Sequence, residues 1–523
     1  MNFGIFVARS ALHWPDKAAV RFRDQVLTYR QLEEQSNRLA HALQALGLQR
    51  GDRVAIVSPN RPEIVVAECA FYKIGLVKVA LNARLSPQEL EDALDNAEPA
   101  AVLTAPSHRA AVQAMRPRLP SVRLALAWDC TDDDRQVGWL DAAALMAQAP
   151  SAHIHIDLNA DDLAVLHYTS GSTGKLKAAM QTMGNRMASL RKVVMGRMQG
   201  QGEDVMLLVG PITHASGMFI QALIYQGITI LLLDRFQPAE LLAAIEKHRV
   251  TMCFMVPAMV HALLAEPSLR ERDLSSLRLL SYGAAPMSPA RIREAWAAFG
   301  PVLAQGYGAG ETTGGIISLT VADHARAISG DKPELLSACG RVSCESEVQV
   351  LDDQGQPVQG EAIGEICVRG PDVFAGYWRA PELSAAAFDA QGWLRTGDLA
   401  RIDSEGYIYI VDRRKEMLVS GGFNVYPSEI EAVLAQHPAV YEVCVVGVPD
   451  DHWGEAVKAV VVLRQGAQAS EEALIAFCKE KLADFKKPRS VDFVAELPKN
   501  SNGKLSRKEV RERYWQGRER KVN

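Results

Sequence analysis

At 523 residues the chain is too long for a single core, so two or more domains are expected. A hydrophobic content of 48%, a charged content of 23% and a formal net charge of -5 are those of an ordinary globular protein and argue against a nucleic-acid partner, although the C-terminal end is locally basic. Eight cysteines, at 69, 130, 253, 339, 344, 367, 444 and 478, stand singly without a Cys-x-x-Cys pair, which predicts reduced thiols of a cytoplasmic protein and excludes a disulfide framework or a zinc site. The segment from Met1 to Ser10 has no basic stretch ahead of a long apolar run, so neither a secretory signal nor a transmembrane span is expected.

From Leu27 to Leu103 helical and strand patterns alternate. An amphipathic helix is predicted over 31–46, and a strand over 54–57 follows the turn Gly51-Asp52-Arg53. The Ala- and Asp-rich segment 105–161 has weak periodicity and reads as solvated surface without a chemical role. Next, an apolar strand starting at Leu166 breaks into Tyr168-Thr169-Ser170-Gly171-Ser172-Thr173-Gly174-Lys175-Leu176-Lys177. Gly171 and Gly174 let a backbone approach an anion, the four hydroxyls donate, and Lys175 and Lys177 add positive charge, so this loop suits a polyphosphate. It is not a Walker A loop, which needs a glycine where Thr169 stands and Ser or Thr where Leu176 stands. The other glycine cluster, Gly306-Tyr307-Gly308-Ala309-Gly310-Glu311, lacks the spacing of a dinucleotide fingerprint.

Strands are predicted over 228–233, 251–256, 277–282 and 302–305, with helices over 238–248, 257–265 and 288–299 between or beside them. Strands separated by single helices imply parallel sheets covered on both faces, with ligands at the carboxyl ends of the strands. The loops there are the phosphate loop, Ser281-Tyr282-Gly283-Ala284-Ala285-Pro286, and Gln305 to Thr312. Beyond Cys339, short strands over 347–352 and 364–369 predict a β subdomain. The strand 406–411 leads into the charged run Asp412-Arg413-Arg414-Lys415-Glu416, read as a solvated linker before an α+β tail with strands over 443–448, 456–463 and 491–494 and a helix over 471–482.

Taken in order, the segments 168–177, 211–214 (Pro211-Ile212-Thr213-His214), 306–312, 393–398 (Trp393-Leu394-Arg395-Thr396-Gly397-Asp398), 412–415 and 497–504 (Leu497-Pro498-Lys499-Asn500-Ser501-Asn502-Gly503-Lys504) resemble the ordered motifs of the ANL superfamily of adenylate-forming enzymes, in its acyl- and aryl-CoA synthetase branch. The resemblance extends from Leu27 to Lys504. It implies an α/β fold: an N-terminal adenylation domain over 1–411 of parallel βα-type sheets plus a β subdomain, a hinge over 412–415 about Lys415, and a small mobile α+β domain over 416–523. It also implies a two-step reaction. A carboxylate attacks the α-phosphate of ATP and expels pyrophosphate, then a thiol displaces AMP from the acyl-adenylate.

By the same resemblance, Thr169, Ser170, Gly171, Ser172, Thr173, Gly174, Lys175 and Lys177 hold the phosphates, and Glu311 with Thr169 binds Mg²⁺. Asp398 takes the ribose hydroxyls, Gly283, Ala284, Ala285, Gly306, Tyr307, Gly308 and Thr312 surround the nucleotide, Arg413 contacts it, and Lys504 bridges carboxylate and α-phosphate. His214 is a gate between acyl and nucleotide sites, with Met218, Gly283 and Gly314 in the acyl pocket beside Phe219, Met255 and Ala284. Coenzyme A is assigned to Gly421, Gly422, Trp453, Phe485, Lys487 and Arg489, within a basic set that includes Lys486, Lys499, Arg507 and Lys508. The sequence departs from the family pattern at Leu176, where Pro is usual, at Ala178, where Gly is usual, and at Gly310, where Thr is usual. The expected substrates are ATP, CoA and a fatty, alicyclic or aromatic acid. A carrier-protein thiol as acceptor, a non-catalytic relative, a luciferase-type activity and a homodimer stay open as alternatives.

Overall fold

The structure, a computed structural model, describes residues 2–170, 176–196, 198–343, 345–420, 423–450, 453–499 and 505–516, with Ser170 described in its backbone alone. The calls at Gly171, Ser172, Thr173, Gly174, Lys175, Cys344, Gly421, Gly422 and Lys504 lie outside these residues.

Helices begin where local chemistry favours them. Pro62, Pro87, Pro106, Pro238, Pro257 and Pro289 each open a helix, where the missing N–H costs nothing. Thr28 with Gln31, Ser86 with Glu89 and Thr182 with Asn185 form capping boxes. These helices cover two large sheets. The first has seven strands, in spatial order Leu140–Asp141, Leu124–Ala127, Ala101–Thr104, Arg53–Val57, Val77–Ala80, Leu163–Ser170 and Leu176–Thr182. The second has nine: Arg341–Val342, Gly314–Leu319, Leu303–Ala309, Leu279–Gly283, Met252–Met255, Val205–Leu208, Thr229–Leu232, Ala18–Phe22 and Gln25–Thr28. Central strands such as Leu279–Gly283 and Met252–Met255 are buried throughout, as sheets with both faces covered require.

Neither sheet is parallel throughout. The first ends in the antiparallel pair Leu163–Ser170 with Leu176–Thr182, and the second is antiparallel at both edges. The strands on either side of the phosphate segment therefore pair antiparallel: Thr169 and Ser170 belong to the first, and Lys177 lies opposite Thr169 on the second. The glycine cluster is likewise a strand, Leu303–Ala309, because Thr313 and Gly314, at φ 47° and 101°, turn the chain straight back alongside it. Segment 105–161 is ordered instead of being featureless surface, with helices Pro106–Met115, Asp132–Gln136 and Ala142–Gln148 and two strands at the sheet edge. Strands of two and four residues between Ala-rich helices leave too few turns for a periodic signal.

The four-stranded sheet Glu347–Leu351, Gly364–Arg369, Leu394–Ile402 and Ile408–Arg413 is the β subdomain. Its last strand takes in Asp412 and Arg413; Asp412 is only 5% exposed, while Arg413 and Lys415 are exposed, so the charged run is solvated in part and anchored at Asp412. The C-terminal sheet contains Phe423–Val425, Leu418–Ser420, Gly454–Leu463 and Val440–Asp450, with Ser490–Phe493 parallel to Gly454–Leu463. Arg507, in the helix Arg507–Glu512, reaches back to the start of this domain. Its guanidinium pairs with both oxygens of Glu431 (2.7 and 2.8 Å), with Glu416, and more distantly with Asp412 (3.7 Å). Burial raises the Asp412 carboxyl above its usual range. Among the described residues, no helix is long and apolar enough to cross a membrane.

Candidate active site

The carboxyl ends of the second sheet's central strands carry the nucleotide candidates. Gly283 pairs with Gly306 across adjacent strands, and a side chain at Gly283 would begin 2.3 Å from the Gly306 carbonyl, so the approach demands glycine. Gly308 is held by the same logic, 2.0 Å from the Gly314 carbonyl. Ala284 adopts φ 67°, a left-handed conformation disfavoured for a residue with a Cβ, and begins the turn into Ala285. Tyr307 does not stand alone as a stacking ring. Its hydroxyl donates to Asp398 Oδ2 at 2.6 Å, and Arg413 Nε lies 3.1 Å from Oδ1. Burial and the adjacent Asp398 hold the Tyr307 phenol well above its usual range, so it stays a donor. Each Asp398 oxygen retains acceptor capacity after these bonds, which a diol would require.

Glu311 follows in the turn. Its Oε1 accepts a hydrogen bond from the Tyr377 hydroxyl at 2.9 Å, and Lys177 Nζ stands 5.3 Å from the centre of the same ring. Residues flanking Tyr377 pair with the strand bearing Lys177: Ala179 bridges Tyr377, and Trp378 N–H donates to Ala178 O at 2.9 Å. Tyr377 thus ties the metal candidate to that strand, a role no local pattern announced. Its only sequence signal is an aromatic residue following Gly376. Thr312 is 1% exposed, and its hydroxyl is engaged by Ala309 N and Gly314 O within the turn, so its side chain shapes the loop. Among the described residues no group of three or more His, Cys, Asp or Glu could hold a metal alone. Glu311 fits Mg²⁺ only if phosphate oxygens complete the shell, which is how Mg²⁺ is commonly held beside nucleotides.

His214 stacks on His167, ring centres 4.5 Å apart at 19°. Burial pushes the His167 imidazole well below its usual range, with His214, Arg186 and Lys78 adding to the shift. Gly310 accommodates this ring, because a side chain there would begin 2.7 Å from His167 and 2.8 Å from Thr169. The departure at Gly310 therefore has a steric counterpart in His167. Met218 Sδ lies 3.4 Å from where a side chain on Gly314 would start, bringing two acyl-pocket candidates together. Met255 is instead 1% exposed in the hydrophobic core of the second sheet.

In the C-terminal domain the basic set is largely neutralised by neighbours. Lys486 pairs with Glu429, Lys487 with Asp484, Lys499 with Glu442 and Lys508 with Glu512, while Arg507 is the buried clamp already described. Arg489 differs, its guanidinium lying 4.1 Å over the Trp453 ring, and Phe485 stacks on Phe423 with centres 4.7 Å apart. Phe423 is 54% exposed, so this pair presents an aromatic surface to solvent. Lys415 occupies the single turn Arg414–Glu416 and is exposed there.

Two family models match the chain: AMP-binding enzyme over residues 7–378, and AMP-binding enzyme C-terminal domain over 429–504. The chain is 37% identical over 517 residues to the medium/long-chain-fatty-acid–CoA ligase FadD8 of Mycobacterium tuberculosis, covering 97% of this chain and 89% of that protein. It is 36% identical over 519 residues to the feruloyl-CoA synthase of an Amycolatopsis species, covering 98% and 99%. Among solved structures, the amide bond synthetase McbA from Marinactinospora thermotolerans superposes with a TM-score of 0.88 at 33% identity, covering 98% of this chain and all of that one.

Proposed function

The chain belongs to the AMP-binding enzymes, the ANL adenylate-forming superfamily, and from that premise we propose that it is an ATP-dependent carboxylate–CoA ligase. The observation that carries the reading is the convergence of Glu311, Lys177 and Tyr377 beside the Tyr307–Asp398–Arg413 group at one edge of the two sheets. A carboxylate is a poor electrophile. In the first step an acid oxygen bonds to the α-phosphorus of ATP, and the bond to pyrophosphate breaks. In the second, the CoA sulfur bonds to the acyl carbon, the thiol proton is lost, and AMP leaves with the acid oxygen.

Both steps gather negative charge, and positioned donors and cations supply most of the catalysis. Asp398 orients the ribose through its remaining acceptor sites, while Arg413 and Tyr307 keep that carboxylate fixed. Lys177 and the phosphate segment, residues 169–177, hold the β- and γ-phosphates. Mg²⁺ bound by Glu311 with Thr169 would neutralise phosphate charge. His214 screens the acid from the nucleotide, and Lys504 bridges the two reacting groups. In the second step Trp453, Arg489 and Phe485 contact the CoA nucleotide, and Gly421 and Gly422 let pantetheine pass close to the backbone. Alternation between the steps turns the C-terminal domain about residues 412–415.

The test is mass spectrometry of products over a panel of fatty, alicyclic and aromatic acids with ATP, Mg²⁺ and CoA. The expected products are acyl-CoA and AMP. ADP as product would overturn the mechanism, and an acyl-adenylate accepted only by a carrier-protein thiol or an amine would overturn the assignment of CoA.

A further inference from the structure

Behind the His214–His167 stack the interior is charged. Glu68, on the helix Pro62–Ile74, is fully buried, with Lys78 paired to its Oε2 and Gln221 Nε2 donating to its Oε1 at 3.1 Å. Arg186, on the helix Met183–Met195, lies beside them at 5% exposure, interacts electrostatically with Glu68 and Tyr72, and has the Tyr72 hydroxyl within loose hydrogen-bonding reach of its guanidinium. Both oxygens of Glu68 are therefore already engaged, and the cluster holds one cation more than it holds carboxylates. Arg186 is poorly satisfied. One Nη reaches Gln181 Oε1 only at 3.5 Å, and the buried Nε has no acceptor. The Tyr72 hydroxyl, on a residue 3% exposed, likewise makes no hydrogen bond of good geometry.

Such an arrangement is a poor way to build a wall. A buried donor left unpaired is costly, more so when charged, and apolar residues of similar volume would serve stability better. The orphaned donors also have an address. Arg186 lies one turn from Ser189 on the same helix face, and Ser189 Oγ is 3.7 Å from where a side chain on Gly314 would begin, opposite Met218. Arg186 is thus displaced along the helix by about 4.5 Å from the Ser189–Met218–Gly314 corner of the acyl site. Gln181 links the same cluster to the front of the site, its Nε2 donating to Gly310 O at 2.9 Å.

We propose that Arg186 and Tyr72 form the inner end of the acyl site and hydrogen-bond an oxygen substituent, a ketone or a hydroxyl, carried on the body of the acid away from its reacting carboxylate. This deepens, and rests on, the carboxylate-activating reading above. The preferred substrate is an oxygenated acid, and a plain hydrocarbon acid of the same shape leaves the two donors unanswered. A carbonyl oxygen has lone pairs for both donors, and a hydroxyl can accept from Arg186 while donating to the Tyr72 oxygen.

The experiment uses calorimetric dissociation constants of matched acids on the full chain: cyclohexylpropanoate against its ring-ketone analogue, and 3-phenylpropanoate against its ring-hydroxylated analogue. The oxygenated member of at least one pair is expected to bind ten-fold or more tightly, and the gap should collapse in Arg186→Met while ATP affinity is retained. Equal binding within every pair overturns the proposal, as does an Arg186→Met variant that weakens both members alike. Should that variant misfold, as lost ATP binding would reveal, Tyr72→Phe decides: a three-fold or greater loss confined to the oxygenated acid supports the site, and a loss shared by both members overturns it. None of these readings needs turnover. A preserved gap with no acyl-CoA formed from any acid would therefore sink the ligase reading and leave this inference standing.

Discussion

At the nucleotide end, Asp398, Arg413, Glu311 and Tyr377 are partly exposed or at the edge of burial, and each is answered by a named partner at 2.6 to 3.1 Å. At the acyl end, Glu68, Lys78 and Arg186 are all at least nine-tenths buried, and the donors outnumber the acceptors. The first arrangement is a cradle whose charges are pre-paired and await a highly charged ligand that brings its own counter-ions. The second is an interior that its own residues leave incomplete. The lesson concerns where specificity resides: the nucleotide end can be shared by every acid the enzyme activates, while the acyl end must be matched to one chemistry.

The strongest way to break the nucleotide half of this comparison is Glu311→Gln, which preserves volume and removes the charge meant for Mg²⁺. Adenylation measured by pyrophosphate release should fall on the order of 10²-fold or more, with little change in melting temperature. An unaltered rate at saturating Mg²⁺ would mean that another group holds the ion. Close behind come the half-reactions. Lys504→Ala should slow adenylation by about 10²-fold and spare thioester formation from supplied acyl-adenylate, and Gly421→Leu should do the reverse. Pre-steady-state assays that found both steps slowed equally in both variants would rule out domain alternation about Lys415.

Between the two ends lies the Gly310–His167 contact. Gly310→Thr alone should destabilise the protein by roughly 1–3 kcal/mol, because the new side chain meets His167 and Thr169. Combined with His167→Leu, it should recover part of that loss, and a double-mutant cycle by chemical denaturation measures the coupling. Additive losses would show that the contact is not the cause. Tyr377→Phe removes one hydrogen bond to Glu311, about 1 kcal/mol, so the Mg²⁺ concentration for half-maximal rate should rise several-fold while saturated activity is kept.

An effect of similar size, confined to acid pH, belongs to His167. Its folded imidazole is held far below the ordinary 6.5, so below pH 6.5 the unfolded chain binds a proton that the native one refuses. Stability present above that pH should be lost as pH falls, by up to about 1.4 kcal/mol per unit. Urea midpoints of the wild type and His167→Leu at pH 7.5 and 5.5 test this, and equal slopes would exclude His167 as the source.

Four of the nine strands of the second sheet and three of the five in the C-terminal sheet were legible, because short apolar runs there stand out beside helices opened by proline or serine, as at Pro238 and Ser288. The nucleotide candidates were legible because each lies within a run of a few residues on one strand end. What could not be read is what distant segments make together. Glu68 and Gln221 are 153 positions apart, and Glu311 and Tyr377 are 66 apart, so no window of sequence contains either pair. The antiparallel edges were missed for a related reason: a strand's direction depends on its partner, and its own pattern is the same either way. The charged run misled at Asp412, which looks solvated until Arg507 is brought to it from 95 positions away.

That last contact changes how the proposed hinge should be pictured. A swivel is commonly a stretch that little else grips. Here its first residue and its exit are fastened by one guanidinium, Arg507, which also holds Glu431, so the joint is bolted by a largely buried ion cluster. Dissolved ions screen such a cluster only once it has come apart. Added salt would then leave the closed joint almost untouched while easing the opened one, acting on the domain cycle as a lubricant before it acts as a denaturant.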